Sequence, residues 1–358
     1  METIKTAFLG LAHPHVATLY GALKRQANVS FLGFADVLPS DGQTFEERAQ
    51  NFGSGAREVP FFDSWERLLD QKPDLVIIGA DNNGKTEPAL AALSRGILTV
   101  MEKPMCGRLS DALAMAQCAE EHHTKILTNW PIAWFPAFRE AKKLADAGEV
   151  GEVRRVVYRS PATWGPYSYA PDGELPPEDW LKKTWWYQAD RGGGSIFDYA
   201  CYGTVLSTWM FGKEAENVAA VGKSFTTKFT DVPDYSAMLL DFGEGVGLLE
   251  GSWSTYNVGE VPTGPIIYGS DGVIVCDRHS SLVKIYHGRS HTPVAPTKIL
   301  DTKANAEPWK MGDHLMDVLH GAEPDEMLET KLNLRVVATL EAGTLAAKTG
   351  QTVKPEKI

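Results

Sequence analysis

Apolar and polar positions follow two different rhythms along this chain, and the rhythm changes near residue 130. In the first part, short apolar runs alternate with stretches of helical period. Ile4 to Leu9 and Val29 to Ala35 read as strands, the second ending at Asp36. Asp74-Leu75-Val76-Ile77-Ile78-Gly79 is apolar at every strand position, as a strand covered by helices on both faces must be. Ile97 to Met101 and Lys125 to Thr128 follow as further strands. Helical patterns lie between them. One runs through Leu19 and Leu23, one starts at Asp63-Ser64-Trp65-Glu66, one runs from Thr86 to Gly96, and one opens at Ser110. Repeated strand–helix units over residues 1–128 predict a doubly wound parallel sheet.

After Pro131 the pattern becomes strand-dominated. A helix near Pro136 to Ala147 stops at Gly148, and Val153 to Ser160 is strand-like. Residues 161–191 form a loop rich in proline, glycine and aromatics. Ser236–Phe242, Val246–Trp253, Pro265–Gly269 and Ser281–His287 read as strands, and helices close the chain near Gly312–His320 and Lys331–Lys348. This predicts an α/β second domain over 129–358, built on an open, mainly antiparallel sheet. The helix near 331–348 is expected to pack back on the first domain.

The chain has 358 residues, 43% hydrophobic and 23% charged, as expected of a globular enzyme with a substantial core. Its net charge is 35 − 46 = −11. That balance argues against nucleic-acid or anionic-membrane partners, which need a basic surface. No apolar run reaches the ~18 residues of a membrane span. Met1-Glu2-Thr3-Ile4-Lys5 enters the first strand without a leader pattern. Cys106, Cys118, Cys201 and Cys276 are scattered and form no CxxC, so they read as small core residues of a reducing, cytoplasmic setting.

Met101-Glu102-Lys103-Pro104 puts a lysine at the carboxyl end of a parallel strand, where open α/β sheets bind ligands. A lysine there either meets a substrate hydroxyl or is a surface residue before a turn. Gly10-Leu11-Ala12-His13-Pro14-His15 lies between the first strand and helix. Only Gly10 fits the dinucleotide fingerprint, with Ala12 and His15 replacing its other glycines. Asp36, 26 residues after Gly10, ends the second strand near where an acid takes the ribose 2′-hydroxyl of NAD. No Lys or Arg follows before Arg48, so NAD is favoured over NADP. His13 and His15 lack a neighbouring cysteine or carboxylate, a poor zinc set, and no metal is expected. They either shape the phosphate loop or sit beside the nicotinamide.

In the second part, Gly192-Gly193-Gly194-Ser195 opens a helix carrying Asp198 and Tyr202, four residues apart on one face. A buried carboxylate and phenol need polar partners, from a substrate polyol and Lys103 or from the glycine loop and core. The loop aromatics Trp164, Tyr167, Tyr169, Trp180, Trp185, Trp186 and Tyr187 read equally well as sugar-stacking faces or as packing.

These motifs together resemble the glucose–fructose oxidoreductase / inositol dehydrogenase (Gfo/Idh/MocA) family over nearly the whole chain. The resemblance rests on the glycine turn with Asp36, Glu102-Lys103-Pro104, Gly192-Gly193-Gly194 with Asp198, Gly269-Ser270-Asp271-Gly272, and the run from Glu341-Ala342-Gly343 to Gly350-Gln351-Thr352-Val353. It implies a Rossmann dinucleotide-binding domain over residues 1–128 and NAD(P)-dependent hydride transfer to or from a carbinol or ketone of a sugar, polyol or related molecule. It also implies a homodimer or homotetramer formed through the second-domain sheet. It assigns catalysis to Lys103, Tyr202 and Asp198, with Tyr202 where many members carry histidine. Cofactor contacts fall on Gly10, Ala12, His13, His15, Asp36, Glu102 and Lys103. A phenol of ordinary pKa ~10 is a weak base at neutral pH, and a nearby Lys103 ammonium is expected to lower it. Two other classes fit the same residues: a catalytically silent NAD and sugar sensor, and a reductase or lyase of a non-sugar substrate.

Overall fold

The computed structural model describes residues 3–37, 44–162, 165–167, 176–258, 261–278, 280–288, 292–303 and 310–358. The first sheet holds β1 (Ile4–Leu9), β2 (Val29–Ala35), β3 (Phe61–Phe62), β4 (Leu75–Ile78), β5 (Leu98–Glu102) and β6 (Ile126–Asn129). All its pairings are parallel, in the order β3-β2-β1-β4-β5-β6. The order reverses at β1 and β4, the switch point where such sheets bind dinucleotides. β4 and β5 are buried along their whole length, which accounts for their unbroken apolar runs. The helix after Asp63 is capped by the Ser64 hydroxyl, which accepts from Arg67 N–H, while Asp63 pairs with Arg67. The helix expected to be capped by Thr86 runs over Thr86–Leu93 with Lys85 at the N-cap, where an ammonium cannot accept a hydrogen bond, so it has no side-chain cap; the Thr86 hydroxyl donates to Asp111 instead.

The second sheet holds β7 (Val153–Pro161), β8 (Asn217–Lys223), β9 (Tyr235–Asp241), β10 (Val246–Ser252), β11 (Ile266–Gly269), β12 (Gly272–Cys276), β13 (Leu282–His287) and β14 (Lys298–Asp301). Its order is β14-β13-β12-β11-β7-β10-β9-β8, antiparallel except between β7 and β10. The helix Cys201–Phe211 is buried at every position but Phe211, and it covers one face of this sheet. The α/β class and the mainly antiparallel second sheet are as the sequence predicts.

The chain forms two compact units. The first comprises Met1–Trp130, Glu178–Gly193 and Trp309–Val337; the second comprises Pro131–Pro177, Gly194–Pro308 and Ala338–Ile358. Among the described residues no helix is long and apolar enough to cross a membrane.

Candidate active site

In the first unit β1 ends in a tight turn at Gly10, whose φ is +84°. A Cβ there would lie 2.5 Å from the Ala80 nitrogen, so the position needs glycine for both backbone and space. The close helix–strand approach that a third fingerprint glycine normally permits is supplied by β4. A Cβ on Gly79 would meet Val16 Cγ1 at 2.2 Å. Sequence reading missed Gly79 because it lies some 70 residues beyond the motif. Ala12 and His13 are buried, and both are held by the protein itself. Ala12 carbonyl accepts from Trp185 Nε1 at 3.0 Å, and His13 N–H donates to the Gly79 carbonyl at 3.1 Å.

Asp36 follows β2, its side chain 8% exposed. The expectation that no cation stands near it is corrected by the fold. Thr44 and Glu47 form a capping box that starts the helix Phe45–Ala49, and that helix carries Arg48 onto Asp36 with Nε to Oδ2 at 2.6 Å. Burial raises the Asp36 carboxyl above the usual range, against the opposing pull of the guanidinium. Asp36 Oδ1 makes no hydrogen bond of good geometry among the described residues, with the Leu11 and Val37 N–H groups near enough to favour the carboxylate. A buried oxygen in that condition, beside the glycine turn, suits a ribose hydroxyl donor, so these residues fit a dinucleotide.

β5 delivers Glu102, fully buried, and Lys103, 2% exposed. Glu102 Oε1 accepts from Asn129 Nδ2 at 2.6 Å, and Oε2 lies 3.0 Å from His15 Nδ1 and 3.7 Å from His13 Nδ1. The carboxylate absent from the sequence neighbourhood of the histidines is therefore present in space. His13, His15 and Glu102 bring one ligand atom each within 4.8 Å of one another, a set that could hold a metal ion. Two features of its surroundings oppose a cation: Lys103 and Lys85 both act on His13, and Glu102 is already engaged by His15 and Asn129. Burial foremost, with the charges of His15, Lys103 and Lys85, holds His13 well below the ordinary histidine pKa, so it is neutral.

The aromatic segment resolves in part. Trp185, Trp186 and Tyr187 are buried, with Trp185 and Trp186 stacked at 3.7 Å and Trp186 edge-on to His13 at 5.2 Å. The two tryptophans pack against the Gly10–His15 loop. Trp180 donates to Glu47 at 2.9 Å. Trp164 and Tyr169 lie outside the described residues.

In the second unit, Asp198 sits in a π-helical turn, Ile196–Ala200, ahead of the helix bearing Tyr202. Both are buried. Asp198 Oδ2 accepts from Trp253 Nε1 at 2.9 Å, a partner that sequence reading did not assign. The Arg278 guanidinium lies 5.8 Å from the Tyr202 ring centroid. Such turns recur at functional positions.

A model of the oxidoreductase family with an NAD-binding Rossmann fold matches residues 15–129, and a model of the GFO/IDH/MocA C-terminal domain matches 138–275. The chain is 27% identical over 285 residues to dTDP-3,4-didehydro-2,6-dideoxy-alpha-D-glucose 3-reductase of Streptomyces violaceoruber, covering 77% of this chain and 74% of the relative. It is 31% identical over 156 residues to D-xylose 1-dehydrogenase (NADP+) of Haloarcula marismortui, covering 42% and 39%. Among solved structures, the WlbA dehydrogenase from Bordetella pertussis in complex with NADH and UDP-GlcNAcA aligns over 100% of both chains with TM-score 0.75 and 18% identity, a likeness of fold. With both domain models matched in order, this chain belongs to the Gfo/Idh/MocA family of oxidoreductases, whose first domain is an NAD-binding Rossmann fold.

Proposed function

We propose that the protein is an NAD-dependent dehydrogenase or reductase acting on a carbinol or ketone of a sugar-like substrate. The observation that carries the reading is Lys103, buried at the carboxyl end of β5 in the unit that binds the dinucleotide. The relatives' substrates, a dTDP-linked sugar and D-xylose, support the substrate class. Bound NAD supplies the hydride acceptor or, reduced, the donor. Gly10 allows the pyrophosphate close approach, and Asp36 accepts from the adenosine ribose. Lys103 polarises the reacting oxygen, Tyr202 exchanges its proton, and Asp198, fixed by Trp253, orients the substrate. Stopped-flow absorbance of bound nicotinamide, with a panel of free and nucleotide-linked sugars and polyols, tests this. Turnover of at least one member is expected; none across the panel, in either direction, would leave a silent binding protein instead.

The same reading extends to assembly and setting. Strand register aligns Ala219, Leu239, Leu248, Val157 and Ile266 across five neighbouring strands. Leu239 and Leu248 are 43% and 38% exposed. A continuous apolar row on a sheet face suits a second copy of the chain, giving a homodimer or homotetramer. Sedimentation showing only a 39.2 kDa species at micromolar concentration would contradict this. The four cysteines form no disulfide, which supports a cytoplasmic setting.

A further inference from the structure

We propose that Lys85 and Asn82 form a buried positioning hub that fixes the backbone on both sides of Lys103 and ties it to Gly192. The proposal rests on the catalytic reading of Lys103. Strand pairing of β5 ends at Glu102, so the carbonyls that follow have no ladder donor, and Pro104 cannot take part through its own N–H. Lys85 meets that need. Its ammonium, fully buried, donates to the Glu102 carbonyl at 2.6 Å, the Pro104 carbonyl at 2.7 Å and Asn82 Oδ1 at 2.9 Å. Three N–H groups thus meet three acceptors, and the two carbonyls are those flanking Lys103.

Asn82 carries the constraint further. Its Nδ2 donates to the Gly192 carbonyl at 2.8 Å, and its own carbonyl accepts from Gly107 N–H at 3.0 Å. Gly192 has φ +76°, and a Cβ there would stand 2.7 Å from Asn82 Cβ, so only glycine lets this contact form. The neighbouring Asn83 Nδ2 bonds the Asp190 carbonyl at 2.6 Å, and Asp81 pairs with Arg191. One polar turn after β4 therefore holds the Glu102–Gly107 segment and the 190–192 segment.

An aliphatic residue at 85 would leave two buried carbonyls without a donor, which is what keeps a costly charge in the core. Burial lowers the Lys85 pKa to about 8; Glu102, Cys106 and Asp81 oppose the drop and Lys103 adds to it. The ammonium, with all three donors, persists at neutral pH.

Hydrogen–deuterium exchange of NAD-free Lys85→Met and Asn82→Ala, read by mass spectrometry, tests the hub. Lys85→Met is expected to raise exchange at least about tenfold in peptides covering 102–107 and 189–193, with the rest of the first unit unchanged. Asn82→Ala is expected to act most on 189–193, and it keeps the test open if Lys85→Met does not fold. In turnover, Lys85→Met should lower kcat by roughly tenfold or more and raise the deuterium isotope effect on hydride transfer, while NAD affinity holds within about threefold. Unchanged exchange in either folded variant would overturn the hub. Raised exchange with a wild type that turns over nothing would keep the hub and remove the catalytic reading of Lys103.

Discussion

His13→Asn isolates a consequence of burying a neutral histidine. In the folded protein burial holds the His13 pKa well below 6.5, whereas in the unfolded chain the side chain titrates near that value. Above about pH 7.5 both states are neutral and the residue adds no pH dependence. As pH falls, the unfolded state binds a proton that the folded state does not, so stability is lost with falling pH. For one such group, moving from about pH 7.5 to 5.5 costs about 1.4 kcal/mol, provided the folded pKa stays below that window. Asparagine keeps an acceptor for the His15 N–H, which lies 3.4 Å from His13 Nδ1, but it cannot titrate. Urea unfolding at about pH 7.5, 6.5 and 5.5, followed by tryptophan fluorescence, is the assay. The wild type should lose more stability than His13→Asn across that range, by up to about 1.4 kcal/mol. Parallel pH dependences in the two proteins would refute the argument, because every other titrating group is common to both.

Four further outcomes are expected. Lys103→Ala should lower kcat about 10²-fold or more with a melting temperature close to wild type, and near-normal turnover would remove Lys103 from the chemistry. Tyr202→Phe, which deletes one buried hydroxyl, should lower kcat strongly, leave NAD affinity unchanged and erase an ionisation from the kcat/KM profile; an unaltered profile points to another proton carrier. Asp36→Ser frees Arg48, at 2.6 Å, to face a 2′-phosphate, so the ratio of NAD to NADP affinity should move toward NADP without a second substitution. Exhaustive treatment with a chelator should leave turnover unchanged; loss of activity restored by a divalent cation would show that His13, His15 and Glu102 hold a metal.

Much of the fold was legible because burial leaves a periodic trace. β4 and β5, covered on both faces, are continuously apolar, and the second sheet alternates because one face is packed and the other exposed, as the burial of β9 shows. Gly10, Asp36 and Glu102-Lys103-Pro104 could be placed at strand ends for the same reason, since each follows a run whose length and composition are local properties. The π-helical turn under Asp198 carries no such trace: Ile196 to Ala200 reads as ordinary helix, and its packing against β7, β9 and β10 is visible only in the fold.

What only the tertiary structure decided is which distant side chains meet. Arg48 reaches Asp36 across 12 residues, and His15 reaches Glu102 across 87, because strand register and a capped helix bring them together. Trp185 read equally as a sugar platform or as packing until its Nε1 was found on the Ala12 carbonyl, 173 residues away. The expectation of an isolated histidine pair failed for the same reason as the expectation of an isolated Asp36. A sequence pattern encodes period, burial and turn chemistry over a few residues; charge pairs and hydrogen-bond partners are set by the packing of elements far apart in the chain.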